Sequence, residues 1–219
     1  MPKKNGLFPL LMILLILVVL AFLIHNFIYD INIFKIKTDE IVIESDTDEY
    51  RLTYLPNDPI KGETSFPVMI YLFADYESNN LKEVVDIIDS LILKYSNRVA
   101  LVWKDFPLVT NYFSRGAALA TRCALDEEKY WEYNHRLINR EDSLSLDLYQ
   151  KIASDLEMNV NNFLSCYKSG KYLYDIENNM REAYVLDIEE VPTIFINQER
   201  IEGEINFEKL DQIISNLIK

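Results

Sequence analysis

The side chains with the most distinctive chemistry are two thiols, Cys123 and Cys166. They stand far apart, so the chain has no Cys-x-x-Cys pair in which one thiolate attacks a disulfide and its neighbour resolves the mixed intermediate. In an oxidising compartment the two could join, closing a loop of about 44 residues and adding roughly 4 kcal/mol in the chain-entropy model. In a reducing one they would remain buried free thiols. Ser78, Asn79 and Asn80 form a polar run of helix-capping types, and Asn80 with Glu83 has capping-box spacing. His25 and His135 lie far apart with no cysteine near either, which does not make a metal site. No Ser/His/Asp arrangement is visible, and five glycines leave no phosphate-binding loop. A formal charge of −13 argues against nucleic acid, where phosphate contacts need Lys and Arg on a shared face. No cofactor is implied.

Those residues must be positioned by a chain with two distinct parts. From Leu7 to Ile24 it is apolar apart from Pro9. At 1.5 Å per residue this run covers about 27 Å, close to the hydrocarbon thickness of a bilayer. Lys3 and Lys4 precede it and Asp30 follows, so the positive-inside bias puts the N-terminus in the cytoplasm. Residues 1–29 are expected to be an uncleaved anchor, with a signal peptide as the alternative reading. Either way the remainder is exported.

Residues 30–58 read as a stalk and an edge strand, the latter at Ile41-Val42-Ile43. Val68 to Phe73 is a continuous apolar run after Pro67, the pattern of a strand buried on both faces. Leu81 to Tyr95 repeats apolar residues at helical spacing, with Val84, Val85, Ile88, Leu91 and Ile92 on one face. A second strand follows at Val99 to Trp103, completing a βαβ unit. The pattern is then helical from Phe113 to Leu186, with breaks near 139–142, 158–162 and Gly170. Thr193–Asn197 and Arg200–Glu202 read as a hairpin, and Phe207–Ile218 as a closing amphipathic helix. The order βαβ, helices, ββα gives an α/β thioredoxin-like fold with an all-helical insertion at about 111–186, preceded by one N-terminal transmembrane helix.

Four stretches in the right order resemble the DsbA-like thioredoxin-domain proteins of bacterial envelopes, over most of residues 59–219. Val102 to Leu108 looks like the second core strand with its Asp-Phe-Pro-Leu exit. Lys129-Tyr130-Trp131-Glu132-Tyr133 resembles a stretch of the helical insertion. Cys166 to Tyr172 resembles another, whose cysteine often has a partner where Cys123 stands, so the resemblance implies a structural Cys123–Cys166 disulfide. Val191-Pro192-Thr193 to Asn197 is similar to the cis-proline loop and its strand.

The departure lies where redox members of the family carry Cys-x-x-Cys. Here those positions fall on Ser78 and Leu81, flanking Asn79 and Asn80. A serine cannot act as the attacking thiolate and a leucine cannot resolve a mixed disulfide, so no catalytic residue for exchange is expected. Asp75 is expected to be a satisfied turn or helix-start residue, and Trp103 and Trp131 core packing. What the resemblance leaves is a peptide-binding groove formed by Ser78, Asn79, Val191, Pro192 and Thr193, open to an exported polypeptide or an envelope protein. An alternative comes from kappa-type glutathione transferases and chromene-carboxylate isomerases, which resemble this chain in a serine near that helix start; Ser78 would then stabilise a glutathione thiolate.

Overall fold

The computed structural model describes residue 22 and residues 50–219, apart from 112, 141 and 142. The expected anchor, most of the stalk and the Ile41–Ile43 strand therefore lie outside the described residues. Among the described residues no helix is long and apolar enough to cross a membrane. Tyr50–Lys219 forms one compact unit.

Its centre is a five-stranded sheet of β1 (Ile60–Lys61), β2 (Val68–Ala74), β3 (Val99–Asp105), β4 (Thr193–Ile196) and β5 (Glu199–Arg200). The spatial order is β1-β3-β2-β4-β5. Strands β2 and β3 run parallel, with Val68 opposite Val99 and Ala74 opposite Asp105, joined by helix α1 (Leu81–Lys94). The other pairings are antiparallel. Among the described residues the strand at this edge of the sheet is Ile60–Lys61. It ends where Gly62 turns at φ +105°, against Ala100 and Phe66, a conformation that disfavours any other residue. Strand β5 begins one residue before the expected Arg200 and ends before Glu202.

Alternation along the strands divides the core between the two faces of the sheet. Val68, Ile70, Leu72, Leu101 and Trp103 face α1 and the helical insertion. Tyr71, Phe73, Val102, Phe106 and Phe195 face Ala183, Ile188 and Leu52 on the other side.

The insertion comprises α2 (Ser114–Cys123), a 3₁₀ turn at Ala124–Glu127, α3 (Tyr130–Ile138), α4 (Leu146–Asp155), α5 (Val160–Ser169) and α6 (Leu173–Val185). Ser145 caps α4 through the Leu148 N–H, and Asn159 caps α5 through those of Asn161 and Asn162. Helices α2 and α5 approach closely at Gly116, where a Cβ would sit 2.9 Å from the Tyr167 hydroxyl. The disulfide Cys123–Cys166 links the same two helices, with a Cα–Cα distance of 5.9 Å. Helix α7 (Phe207–Leu217) is capped by Asn206, which accepts from the Lys209 N–H. Trp103 is core as expected, and Trp131 is half-buried and packs against the same core, with Lys61 over its ring.

Candidate functional site

The site is built where β2 ends and α1 begins. The expected capping box does not form. Asn80 has φ −102° and ψ 7° rather than the extended conformation a capping side chain needs, and it makes no side-chain cap. The turn is held instead by Asp75. That carboxylate is buried and accepts four donors. Its Oδ1 takes the Glu77 N–H at 2.7 Å and the Ser114 hydroxyl, and its Oδ2 takes the Leu108 N–H and the Asn111 side-chain amide, both at 2.8 Å. One side chain thus ties together the α1 approach, the β3 exit and the start of α2.

Glu77 extends this framework. Its Oε2 accepts the Phe113 and Ser114 N–H groups at 2.9 Å, placing an anion on the orphan donors and positive dipole end of α2. Arg140, half-buried, donates to the Tyr76 carbonyl at 2.6 Å and to the Leu137 carbonyl at 2.9 Å. Burial pulls its pKa below the ordinary value, against smaller contributions from Tyr149, Glu77 and others. The Tyr76 ring stacks on Trp103 at 5.5 Å and its hydroxyl accepts from Asn134 at 2.8 Å. Burial pushes that hydroxyl's pKa far above the ordinary tyrosine value, so it stays neutral.

On this frame Ser78 is half-buried, Asn79 and Asn80 are exposed, and Leu81 is buried as an α1 core residue. The Ser78 hydroxyl donates to the Val191 carbonyl across a long 3.3 Å, so the start of the α1 turn touches the proline loop. The Val191–Pro192 peptide bond is cis. Val191 and Pro192 are half-buried; Thr193 is buried in β4 opposite Phe73, and its hydroxyl donates to the Glu190 carbonyl at 2.6 Å. A cleft of about 540 Å³ opens on the other side of Ser78, between Asn79, Lys82, Phe113, Ile138, Arg140 and Leu144. Ser78 therefore stands between the cleft and the proline loop.

Cys123 and Cys166 are elsewhere. Ser114 and Cys123 occupy opposite ends of α2, about 14 Å apart along its axis. Among the described residues, no group of three or more His, Cys, Asp or Glu side chains is placed to hold a metal ion.

This arrangement has recognisable relatives. A model of the thioredoxin family matches residues 55–216. The chain belongs to the thioredoxin family. Within it, the sheet with its helical insertion is DsbA-like. α-DsbA1 from Wolbachia pipientis superposes with a TM-score of 0.67 at 23% identity, covering 76% of this chain and 93% of that one. BdbD from Bacillus subtilis gives 0.67 at 18%, covering 74% and 93%. A thioredoxin-like oxidoreductase from Silicibacter pomeroyi gives 0.67 at 19%, covering 74% and 92%. Likeness at such identity is a likeness of fold. Among curated proteins, Na(+)/H(+) antiporter NhaA 1 from Mycolicibacterium gilvum is 24% identical over 149 residues, and that from Mycobacterium sp. (strain KMS) 26%. The match covers 67% of this chain but 24% of those proteins, so the chain spans about a quarter of their length. The antiporter name describes the longer proteins.

Behind the site of this thioredoxin-family chain lies a polar network that the sequence pattern did not reveal. Lys104 on β3 pairs with Asp58 at 2.6 Å and Glu182 at 2.5 Å, and donates to the Thr53 carbonyl at 2.7 Å. Arg122 on α2 pairs with Asp105 at 2.6 Å and bonds the Asn57 carbonyl and the Asn179 side chain, both at 2.6 Å. Burial works against the Arg122 charge, but Asp105 and other neighbours outweigh it and raise its pKa. The one available signal was the placing of Lys104 and Asp105 directly after the apolar Val99–Trp103 run.

Proposed function

We propose that this chain is a membrane-anchored, extracytoplasmic DsbA-like protein that does not exchange disulfides and instead binds an exported polypeptide or an envelope partner at Ser78, Asn79, Val191 and Pro192. The carrying observation is the contact between the Ser78 hydroxyl and the Val191 carbonyl, with both cysteines of the chain locked together elsewhere. An alcohol that donates to a backbone carbonyl is no leaving group or nucleophile for sulfur. The surrounding loop is nonetheless held firmly by Asp75, Glu77 and Arg140. A rigid, partly exposed loop beside a cleft suits recognition of extended chain, where preorganisation limits the entropy lost on binding. The apolar Leu7–Ile24 run supports the anchor and the export that follows from it.

The test is photo-crosslinking in native cells, with a reactive side chain at Asn79 and a control at the exposed Glu208 on α7. A discrete adduct at Asn79, absent at Glu208 and weakened by Pro192→Ala, is the expected result. Equal labelling at both positions, or none at either, would remove the binding reading.

A further inference from the structure

A pocket of about 460 Å³ opens between the loop leaving β3 and the turn joining α6 to β4. Phe106 and Ile188 form its buried floor, and Leu108, Val109 and Tyr184 its walls. Val109 is 87% exposed and Tyr184 54%, although Tyr184 packs edge-on against Phe106 at 5.4 Å. Apolar side chains gathered in one concavity and left in water mark an interaction site more than scattered ones do. The polar rim has one sign. Asp187 and Glu189 line it, Glu190 follows, and no Lys or Arg is among the lining residues. Arg200 reaches the turn, but it donates to the Asp187 backbone carbonyl and pairs with Glu202. Val191 of the proline loop packs in the same apolar cluster as Phe106, Leu108 and Ile188, two residues along the chain from the rim residue Glu189.

We propose that this pocket reads side chains for the groove, taking an apolar residue with Lys or Arg two positions away on the same face of an extended exported polypeptide. The inference rests on the binding reading above and adds its selectivity. A strand laid along Val191 presents every second side chain to one face, about 7 Å apart. An apolar member of that set fills the concavity above Phe106. A Lys or Arg two residues along, on the same face, lays its aliphatic stem on Tyr184 and Val109 while its charge meets Asp187 and Glu189. Acidic partners are repelled by the same carboxylates.

The experiment uses the full chain in detergent micelles at low salt, with three fluorescein-labelled nonapeptides that carry Lys-Leu-Lys, Glu-Leu-Glu or Lys-Ser-Lys at three alternate central positions, with threonine at the positions between them. Anisotropy should give Lys-Leu-Lys an affinity about tenfold above either other peptide. Asp187→Asn combined with Glu189→Gln should bring Lys-Leu-Lys and Glu-Leu-Glu within about threefold of each other. Val109→Arg should abolish the preference; all three side chains are exposed, and circular dichroism confirms that the variants fold. Equal affinity for the three peptides, or no binding of any, overturns the inference. If Asn79 still captures a discrete partner in cells, only the selectivity has failed. If Asn79 captures none, the binding reading falls with it.

Discussion

Asp75→Asn tests the physical account of the site most directly. The wild-type carboxylate faces four donors and accepts from all of them. An asparagine keeps one oxygen and turns an NH₂ toward the other two donors. Either orientation sets the NH₂ against one backbone N–H that cannot turn, that of Glu77 or of Leu108, while the Ser114 hydroxyl and the Asn111 amide can reorient to accept from it. A hydrogen bond to a charged group contributes about 1.5–3 kcal/mol, so the variant should lose about 1.5–3 kcal/mol for the one backbone donor left facing the NH₂, a large share of the 5–15 kcal/mol typical of a domain. The loss should also be local. The β3 exit at Leu108, the Glu77 turn and the start of α2 all depend on this one side chain, so they should open before the sheet does. Urea unfolding of the full chain in detergent gives the total, and amide exchange at Glu77, Leu108 and Ser114 gives the distribution. Asn111→Ala, which removes one donor at a half-buried position, should cost only about 1 kcal/mol. A loss below about 1 kcal/mol for Asp75→Asn, or exchange that rises uniformly over the sheet, would refute the four-donor account.

Lys104→Met should cost about 3–5 kcal/mol, because it leaves the Asp58 and Glu182 carboxylates buried beside each other; adding Glu182→Gln should restore part of the loss, and urea midpoints of the pair measure both. Replacing Cys123 and Cys166 with serine should lower stability by roughly 4 kcal/mol while leaving the Asn79 adduct intact, since the disulfide is a brace between α2 and α5 rather than part of the site. The Asp126 pKa lies below the ordinary carboxylate value: burial would raise it, but donors from Lys171 and Tyr172 outweigh burial. Its contribution is therefore present above the unfolded pKa and lost as pH falls through the folded one. Because the pair is largely exposed the effect should be a few tenths of a kcal/mol, seen as a shallower acid-side decline in the urea midpoint of Asp126→Asn.

The chain sequence determined the fold to within a residue or two over most of its length. Val68–Phe73 could be read as a fully buried strand because an unbroken apolar run leaves no face for water. Leu81–Tyr95 could be read as a helix because Val84, Val85, Ile88 and Leu91 recur at its period, and those residues line the core. The resemblance to DsbA-like proteins led to the expectation that Ser78 and Leu81 stand at the positions of a redox pair. The sequence could not show what holds that turn. Asp75, Leu108, Asn111 and Ser114 come from separate elements, and nothing in their spacing announces that one carboxylate gathers the other three. Local capping rules favoured Asn80, yet the backbone angle imposed by the Asp75 turn denied it the cap. Lys104 and Arg122 looked like ordinary charges on a strand and a helix, and only the docking of α6 and of residues 50–58 on the sheet buried them with acids. The acidic pocket likewise exists only because the β3 exit and the α6–β4 turn, some eighty residues apart, meet on one side of the proline loop. Periodicity is a property of neighbours along the chain and is legible there, whereas long-range polar contacts depend on which surfaces meet, and tertiary packing alone decides that.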